Sequence, residues 1–140
     1  MCGIVGAVIA EGSVVDGLVD GLRVLEYRGY DSSGVAVVQN GRVVVRKRQG
    51  RLENLVAELA DNALAGAGAG IGHTRWATHG PPSDANAHPH TGGGETLAIV
   101  HNGVVENWMP LKAELIEGGA TFLSDTDTEV LAQLIERERK

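Results

Sequence analysis

The sequence predicts a single α+β domain. Short apolar runs bounded by glycine, of which Ile4–Ile9 is the first, have the character of β-strands. Apolar residues at helical spacing follow a capping residue, first at Ser13, and predict helices. Asn40-Gly41 joins two strand-like runs and is typical of a β-hairpin. With 140 residues, of which 43% are hydrophobic and 21% charged, the chain is suited to one globular core.

Four helices are predicted, three of them from a capping residue and the second from its apolar spacing. Their starts, in chain order, fall at Ser13, Arg51, Asn107 and Thr126. Ser13 and Thr126 are each followed three residues later by an acidic residue, as in a capping box. Gly118-Gly119 is expected to end the third helix. The side chains expected to face the core are Val14, Val15, Leu18, Val19, Leu22, Leu25, Leu52, Leu55, Val56, Leu59, Leu111, Leu115, Ile116, Val130, Leu131, Leu134 and Ile135. Gly17 and Gly21 are expected where the first helix packs closely on a sheet.

The strands are predicted between these helices. Ile4–Ile9 is expected to be buried, and the later strands are expected at 35–38, 42–48, 71–75, 96–100 and 121–124. The basic run 46–48 alternates along a strand and is interpreted as a solvated edge rather than an anion site. The glycine-rich stretch 65–70 lacks the Gly-Lys-Ser/Thr ending of a phosphate loop and is predicted to be a flexible connector.

Charge and cysteine content narrow the class of protein. The net charge of −6 argues against nucleic acid or an anionic membrane as a partner. One cysteine permits no internal disulfide and fits a reducing compartment. The apolar start lacks a basic leader and a cleavage site, and no glycine follows Met1 for myristoylation. We therefore expect a cytoplasmic protein.

The single cysteine, Cys2, directly follows Met1. Removal of Met1 would place a thiol and an α-amino group on one residue. That amine has a pKa of about 7.7–8.0, against about 10.4 for lysine, so it can accept a proton near neutral pH. An N-terminal nucleophile activated by its own amine is a known catalytic arrangement. The alternative, a small buried hydrophobic residue, stays open on position alone.

The densest polar stretch is H-T-R-W-A-T-H-G-P-P, residues 73–82, predicted as the end of a strand followed by a loop. The guanidinium of Arg75 suits a carboxylate, and Thr78 and the backbone around His79 could donate to the same anion. Further on, Asn102-Gly103 is either another hairpin turn or a pair of convergent donors, as in an oxyanion hole.

One charged residue, Asp127, and the five histidines are the remaining candidates for a functional site. Asp127 lies in the first turn of the last helix, where a carboxylate commonly complements the helix dipole. His88 and His90 are two residues apart, and the other histidines are scattered. Because no cysteine or acidic ligand stands at a zinc-like spacing from them, we expect no metal site.

Six motifs occur in one order along the chain: C-G-I-V-G, R-G-Y-D-S-S-G, H-T-R-W-A-T-H-G, N-A-H-P-H, H-N-G-V-V-E-N and S-D-T-D-T-E. Together they resemble the glutaminase domain of the glucosamine-6-phosphate synthase family, glutamine–fructose-6-phosphate aminotransferases (isomerizing). Related class II glutamine amidotransferases of the purine pathway usually carry Gln-Glu in place of Tyr30-Asp31, and Tyr-Ser in place of Trp76-Ala77. The aminosugar branch is therefore favoured.

The resemblance implies an N-terminal nucleophile hydrolase fold, a four-layer αββα sandwich, with L-glutamine as substrate and no cofactor. It assigns the nucleophile and the base to Cys2, and the oxyanion hole to Asn102 and the Gly103 N–H. It further implies that the α-carboxylate of glutamine is held by Arg75, Thr78 and His79, and the α-ammonium by Asp127. Arg28 and Gly29 would form a wall beside the nucleophile. Trp76 would lie on a loop that closes over glutamine.

The resemblance covers residues 2–140 and implies the N-terminal part of a glutaminase domain, truncated at its C-terminus. In the family, fructose 6-phosphate is bound by sugar-isomerase domains, which are expected to be absent from these residues, and the parent protein is expected to be a homodimer. Two alternatives stay open. One is a glutaminase domain of the purine-pathway type, and the other is a non-catalytic, truncated glutamine-binding fragment.

Overall fold

The centre of the molecule is a four-stranded antiparallel sheet, seen in a computed structural model that describes residues 1–65 and 68–139. Gly66 and Ala67 of the predicted connector, and Lys140, lie outside the described residues. The strands are β1 (Gly3–Val8), β2 (Ser32–Gln39), β3 (Arg42–Gln49), β4 (Ala69–Arg75), β5 (His90–Thr91) and β6 (Ala98–Ile99). The α-helices are α1 (Val14–Leu25), α2 (Leu52–Asp61), α3 (Trp108–Glu117) and α4 (Asp127–Glu138), and a 3₁₀ turn spans Glu26–Arg28.

The order of strands in the sheet is β1-β4-β2-β3. Gly3 lies opposite Thr74, and Ser32 lies opposite Arg75. The beginning of β1, the end of β4 and the beginning of β2 therefore meet at one end of the sheet. The hairpin between β2 and β3 turns at Asn40 and Gly41, whose φ angles of 53° and 76° are those that an Asn-Gly turn favours.

Helices α1 and α2 cover one face of this sheet. Their apolar side chains form the core with β2, and its buried members are Val14, Val15, Leu18, Leu22, Val35, Val37, Leu52, Leu55 and Leu64. The predicted cap Ser13 accepts a hydrogen bond from Val15 N at 3.3 Å. A Cβ on Gly21 would lie 2.9 Å from the side chain of Val5, so close packing is confirmed there. Gly17 faces open space, and the packing prediction is wrong for it.

The other face carries a two-stranded ribbon, β5–β6, followed by α3 and α4. The ribbon side is tied to β3 by Val43 N, which donates to Glu95 O at 2.7 Å. The layers therefore run helices, sheet, ribbon, helices. Coverage of the sheet is uneven, because β2 is buried from Ser32 to Val37 whereas Val8 of β1 is 84% exposed. The prediction that the first strand is buried is thus wrong for its outer face.

Several local predictions differ from the structure. Residues 121–124 form no strand, because their backbone groups bond to side chains of α4. Glu129 accepts from Leu123 N and Ser124 N at 2.8 and 2.7 Å, and Gln133 donates to Thr121 O at 2.9 Å. The predicted strand 96–100 shortens to β6. The expected connector 65–70 ends earlier, because Ala69 and Gly70 already belong to β4.

Two helix predictions also need correction. Asn107 stands at the start of α3 but makes no side-chain cap bond. Ile116 and Ile135, expected inside, are 52% and 41% exposed. By contrast, Thr126 accepts from Glu129 N at 3.4 Å, as its half of the predicted capping box requires. Within 1–65 and 68–139, no helix has the length and apolar character needed to cross a membrane.

Candidate active site

Cys2 lies immediately before β1, at the sheet end where β4 stops. Its Sγ accepts a hydrogen bond from Trp76 N at 3.2 Å and lies 3.6 Å from Trp76 O. The next residue is held too, because Gly3 N donates to the buried Thr74 Oγ1 at 3.2 Å. Cys2 is half-buried and Met1 is 76% exposed. The thiol therefore lies on a backbone segment that hydrogen bonds hold to β4, and Met1, which would have to be removed, is exposed.

The R-G-Y-D segment supports the start of the polar loop. Gly29 lies so close to β4 that a Cβ there would be 2.8 Å from Arg75 O, so no other residue fits without movement. Asp31 N donates to the same carbonyl at 3.1 Å, and the Asp31 carboxylate accepts from Ala77 N at 2.8 Å. Arg28 lies beside Met1, with Nη2 3.4 Å from its sulfur. This segment therefore fixes the backbone on both sides of Trp76.

Arg75 is 3% exposed, and its guanidinium holds its own loop. It donates to the carbonyl oxygens of His79, Gly80 and Pro81, the last two at 3.0 and 3.4 Å. A guanidinium has five N–H donors, so two make no hydrogen bond to the described residues and could serve a ligand. Burial lowers the pKa of Arg75, and the electrostatic influence of Cys2, Asp31 and Asp127 opposes that shift.

The other loop side chains surround the same end of the sheet. Trp76 is 46% exposed and packs edge-to-face on Tyr30, with ring centroids 5.7 Å apart. Thr78 is exposed. His79 packs edge-to-face on Trp108 at 6.3 Å, and its Nδ1 is buried with no hydrogen-bond partner among the described residues. His79 thus retains a polar atom that a ligand could satisfy.

Asn102 reaches the nucleophile from the end of β6. Its Nδ2 donates to the backbone carbonyl of Cys2 at 3.0 Å, so the side-chain amide lies at the residue that carries the thiol. Gly103 follows it and lies against the His101 ring, where a Cβ would be 3.0 Å from Nε2. No strand follows Gly103 in the described part of the chain, so the hairpin interpretation of Asn102-Gly103 is wrong.

Asp127 is the first residue of α4 and is 4% exposed. Its Oδ2 accepts a hydrogen bond from Val105 N at 2.6 Å, which ties the helix start to the segment that follows Gly103. Asp127 therefore occupies the dipole-complementing position, and its charge is also felt by Arg75. The position of this carboxylate is compatible with both predicted roles, complementing the helix dipole and holding the α-ammonium of a substrate.

Histidines form a buried layer behind this site. His73, His88 and His90, which we term the histidine cluster, pack ring on ring. The rings of His73 and His88 stack with centroids 4.2 Å apart, and those of His88 and His90 meet edge-to-face at 4.6 Å. Burial lowers the pKa of all three, that of His73 to about 4. Their hydrogen bonds go to His101 and Thr126. Among the described residues, no three His, Cys, Asp or Glu side chains converge as metal ligands.

Cys2, Arg75, Trp76 and Asn102 thus meet at one end of the sheet, with Asp127 nearby. The sequence motifs alone gave no role to three side chains that hold the site. These are Thr74, Asp31 and Asn86, the last of which bonds to Pro81 O and Asp125 N. Asp31 and Asn86 belong to motifs that the sequence marks, R-G-Y-D-S-S-G and N-A-H-P-H. Their hydrogen bonds join distant parts of the chain and leave no signal in local spacing.

A sheet that carries a cysteine at its leading end, held among layers in the order αββα, is the arrangement of an N-terminal nucleophile amidotransferase. The sequence family described as "Glutamine amidotransferase domain" matches residues 57–139, and the chain belongs to this family. Among curated relatives, it is similar to proteins named glutamine–fructose-6-phosphate aminotransferase (isomerizing). That of Streptomyces coelicolor is 55% identical over 138 residues, and that of Caulobacter vibrioides is 58% identical over 136. These alignments cover 99% and 97% of the chain, which spans 22% of each relative.

Solved structures give the same fold. A glutamine phosphoribosylpyrophosphate amidotransferase from B. subtilis, complexed with ADP and GMP, superposes with a TM-score of 0.73 at 30% identity. It covers 97% of the chain, which spans 29% of that structure. A structure described as the allosteric regulatory enzyme of purine biosynthesis gives a TM-score of 0.79 at 28% identity. The alignment covers 96% of the chain and 29% of that structure. The predicted N-terminal nucleophile hydrolase fold is thereby confirmed.

Proposed function

We propose that the chain hydrolyses the side-chain amide of L-glutamine with Cys2 as nucleophile. The observation that carries the proposal is the convergence on Cys2 of two groups from distant parts of the chain. Trp76 N lies 3.2 Å from the thiol, and the Asn102 amide lies 3.0 Å from the carbonyl of the same residue. A thiol with backbone and amide donors around it suits acyl transfer.

In the proposed reaction, Met1 is first removed and the freed amine of Cys2 takes the thiol proton. The thiolate attacks the amide carbon, and the oxyanion is stabilised by Asn102 Nδ2 and Gly103 N–H. The C–N bond then breaks, the amine returns the proton to the leaving nitrogen, and ammonia departs. Water hydrolyses the thioester, releasing glutamate and restoring the thiol, so that glutamine and water become glutamate and ammonia.

Glutamine would be held by opposite charges at its α-carbon. We assign its α-carboxylate to Arg75, Thr78 and His79, and its α-ammonium to Asp127. Arg75 and Asp127 are both almost fully buried, so each would interact strongly with an opposite charge. Arg28 and Gly29 would wall the nucleophile, and Trp76 would close over the substrate.

In the whole protein, we propose that the ammonia serves the synthesis of glucosamine 6-phosphate from fructose 6-phosphate, as the names of the relatives suggest. The sugar would be bound by residues outside these 140, and we expect the whole protein to act as a homodimer. The purine-pathway alternative has less support, because the curated relatives are 55% and 58% identical while the purine-type structures are 30% and 28% identical.

Release of glutamate and ammonia from glutamine by the purified protein tests the proposal, with intact mass reporting the state of Met1. Equal amounts of the two products, lost on Cys2→Ala, are expected. A non-catalytic glutamine-binding chain, the remaining alternative, would bind glutamine without releasing either product. That result in a sample lacking Met1 would overturn the proposal.

A further inference from the structure

Asn86, from the N-A-H-P-H motif, lies between the two segments assigned to the charged ends of glutamine. Its side chain is 1% exposed and fully engaged with backbone on two sides. Nδ2 donates to Pro81 O at 2.9 Å, and Oδ1 accepts from Asp125 N at 2.8 Å. Nδ2 also lies 3.4 Å from Asp125 Oδ2. One amide therefore joins the loop after β4 to the turn before α4.

On the loop side, Asn86 shares its acceptor with Arg75. The carbonyl of Pro81 accepts from Arg75 Nη1 at 3.4 Å as well as from Asn86. The same loop passes close to Asn86 at Gly80, where φ is +78° and a Cβ would lie 2.7 Å from Asn86 Nδ2. Movement of Asn86 would therefore change the carbonyl groups that orient the Arg75 guanidinium.

On the helix side, Asn86 holds the backbone N–H of Asp125, two residues before Asp127. Thr126, between them, caps α4 through its side chain. The position of the Asp127 carboxylate therefore depends on the turn that Asn86 holds. An α-amino acid presents its carboxylate and ammonium at a fixed separation, so binding groups for the two must also be fixed relative to each other.

We propose that Asn86 is a positioning residue that sets the separation between Arg75 and Asp127, and so selects ligands carrying both an α-carboxylate and an α-ammonium. This inference rests on the proposed function, which assigns those two ends. Asn86 touches neither end of the ligand. It acts through the carbonyl of Pro81 and the N–H of Asp125.

The test is equilibrium binding, measured by calorimetry in the full-length protein carrying Cys2→Ala, so that no turnover is needed. Two ligands are compared, glutamine and 4-carbamoylbutanoate, which lacks the α-amine. Asn86→Ala is expected to weaken glutamine at least about tenfold, as small misplacements of binding groups do. The same substitution should make the affinity for glutamine similar to the affinity for 4-carbamoylbutanoate. Asn86→Asp, which keeps the acceptor for Asp125 N but loses the donor to Pro81 O, provides a second variant of nearly the same shape.

Gln133→Ala is the matched control. Gln133 is 6% exposed, lies on α4 and donates its amide to Thr121 O at 2.9 Å rather than to the loop after β4 or to Asp125. It should lower the melting temperature without changing the ratio of the two affinities. Unchanged glutamine binding in the Asn86 variants, or an equal loss in Gln133→Ala, would overturn the inference. Failure of the parent protein to hydrolyse glutamine would instead refute the proposed reaction, while the binding comparison would still decide the role of Asn86.

Discussion

The side-chain amide of Asn102 donates to the backbone carbonyl of Cys2 at 3.0 Å, and the two residues are 100 positions apart. This bond holds the end of β6 against the start of β1, so that an amide N–H group is fixed at the residue bearing the thiol. A donor that is fixed before the reaction needs no reorganisation as negative charge develops on the substrate oxygen.

Asn102→Ala is expected to lower kcat about 10²–10³-fold with little change in KM, because oxyanion donors act mainly in the transition state. Steady-state kinetics of glutamine hydrolysis measures both constants. Asn107→Ala is a suitable control, because Asn107 is an exposed asparagine in the following segment whose side chain makes no cap bond. A variant of Asn102 that loses glutamine binding but keeps its rate would assign Asn102 to substrate positioning instead.

Covalent labelling tests whether the free amine matters. A glutamine-like electrophile, such as a diazoketone analogue, should add one label at Cys2, and only in molecules that have lost Met1. The reason is that the amine serves as the base only when it is not part of a peptide bond. Intact mass and peptide mapping would detect the label. Equal labelling of a sample that retains Met1 would show that the thiol reacts without this base.

Gly29→Ala is expected to reduce both stability and activity. The added Cβ would lie 2.7 and 2.8 Å from the carbonyl carbon and oxygen of Arg75, so β4 or the turn must shift. Gly17→Ala is the matched control, since a Cβ there meets nothing within 4 Å. In α1 it should stabilise the protein by about 0.5–1 kcal/mol. Thermal melts and glutamine turnover of both variants separate the contact at Gly29 from a general effect of replacing glycine.

Local signals predicted most of the elements. The cap at Ser13, the capping residue Thr126 and the turn at Asn40-Gly41 depend on neighbours within four residues, so the sequence states them directly. Residues 121–124 were predicted wrongly because their backbone groups bond to the side chains of Glu129 and Gln133, which spacing does not reveal.

The candidate site, too, was predicted in part from local sequence and depends in part on contacts between distant residues. The motifs mark Cys2, Arg75 and Asn102, and the structure places these three together. Arg75 uses three donors on its own loop, which depends on the path of that loop. Asn86 joins this loop to the turn before α4 through a contact across 39 positions. Such contacts require the fold to be known.

The histidine cluster predicts a stability that falls in mild acid. The unfolded chain protonates its histidines below about pH 6.5, whereas burial lowers the native pKa of His73 to about 4 and those of His88 and His90 further. Between these pH values unfolding takes up protons, so the free energy of unfolding decreases as the pH falls. Near pH 5 the uptake from the cluster should approach three protons. Urea unfolding at a series of pH values measures it.

His88→Gln should reduce that uptake by about one proton, because it removes one titrating ring. Gln133→Ala removes a buried hydrogen bond without removing a titrating group, so it should lower the whole profile without changing its slope. A wild-type profile that is flat between pH 6.5 and 4 would contradict the prediction that the three rings stay neutral in the native protein.

The assignment of the substrate's charges is tested most directly at Asp127. Asp127→Asn keeps an oxygen that can accept from Val105 N, which Oδ2 now does at 2.6 Å, but removes the charge assigned to the α-ammonium. Losing one partner of a buried charge pair typically costs about 2–5 kcal/mol, so glutamine should bind well over tenfold more weakly. The variant should also lose its preference for glutamine over an analogue lacking the α-amine. Arg75→Ala should likewise lose its preference over an analogue whose α-carboxylate is a neutral amide, although its loop carbonyls also lose their donor. Normal glutamine affinity in a folded Asp127→Asn protein would leave Asp127 as a helix-start carboxylate alone.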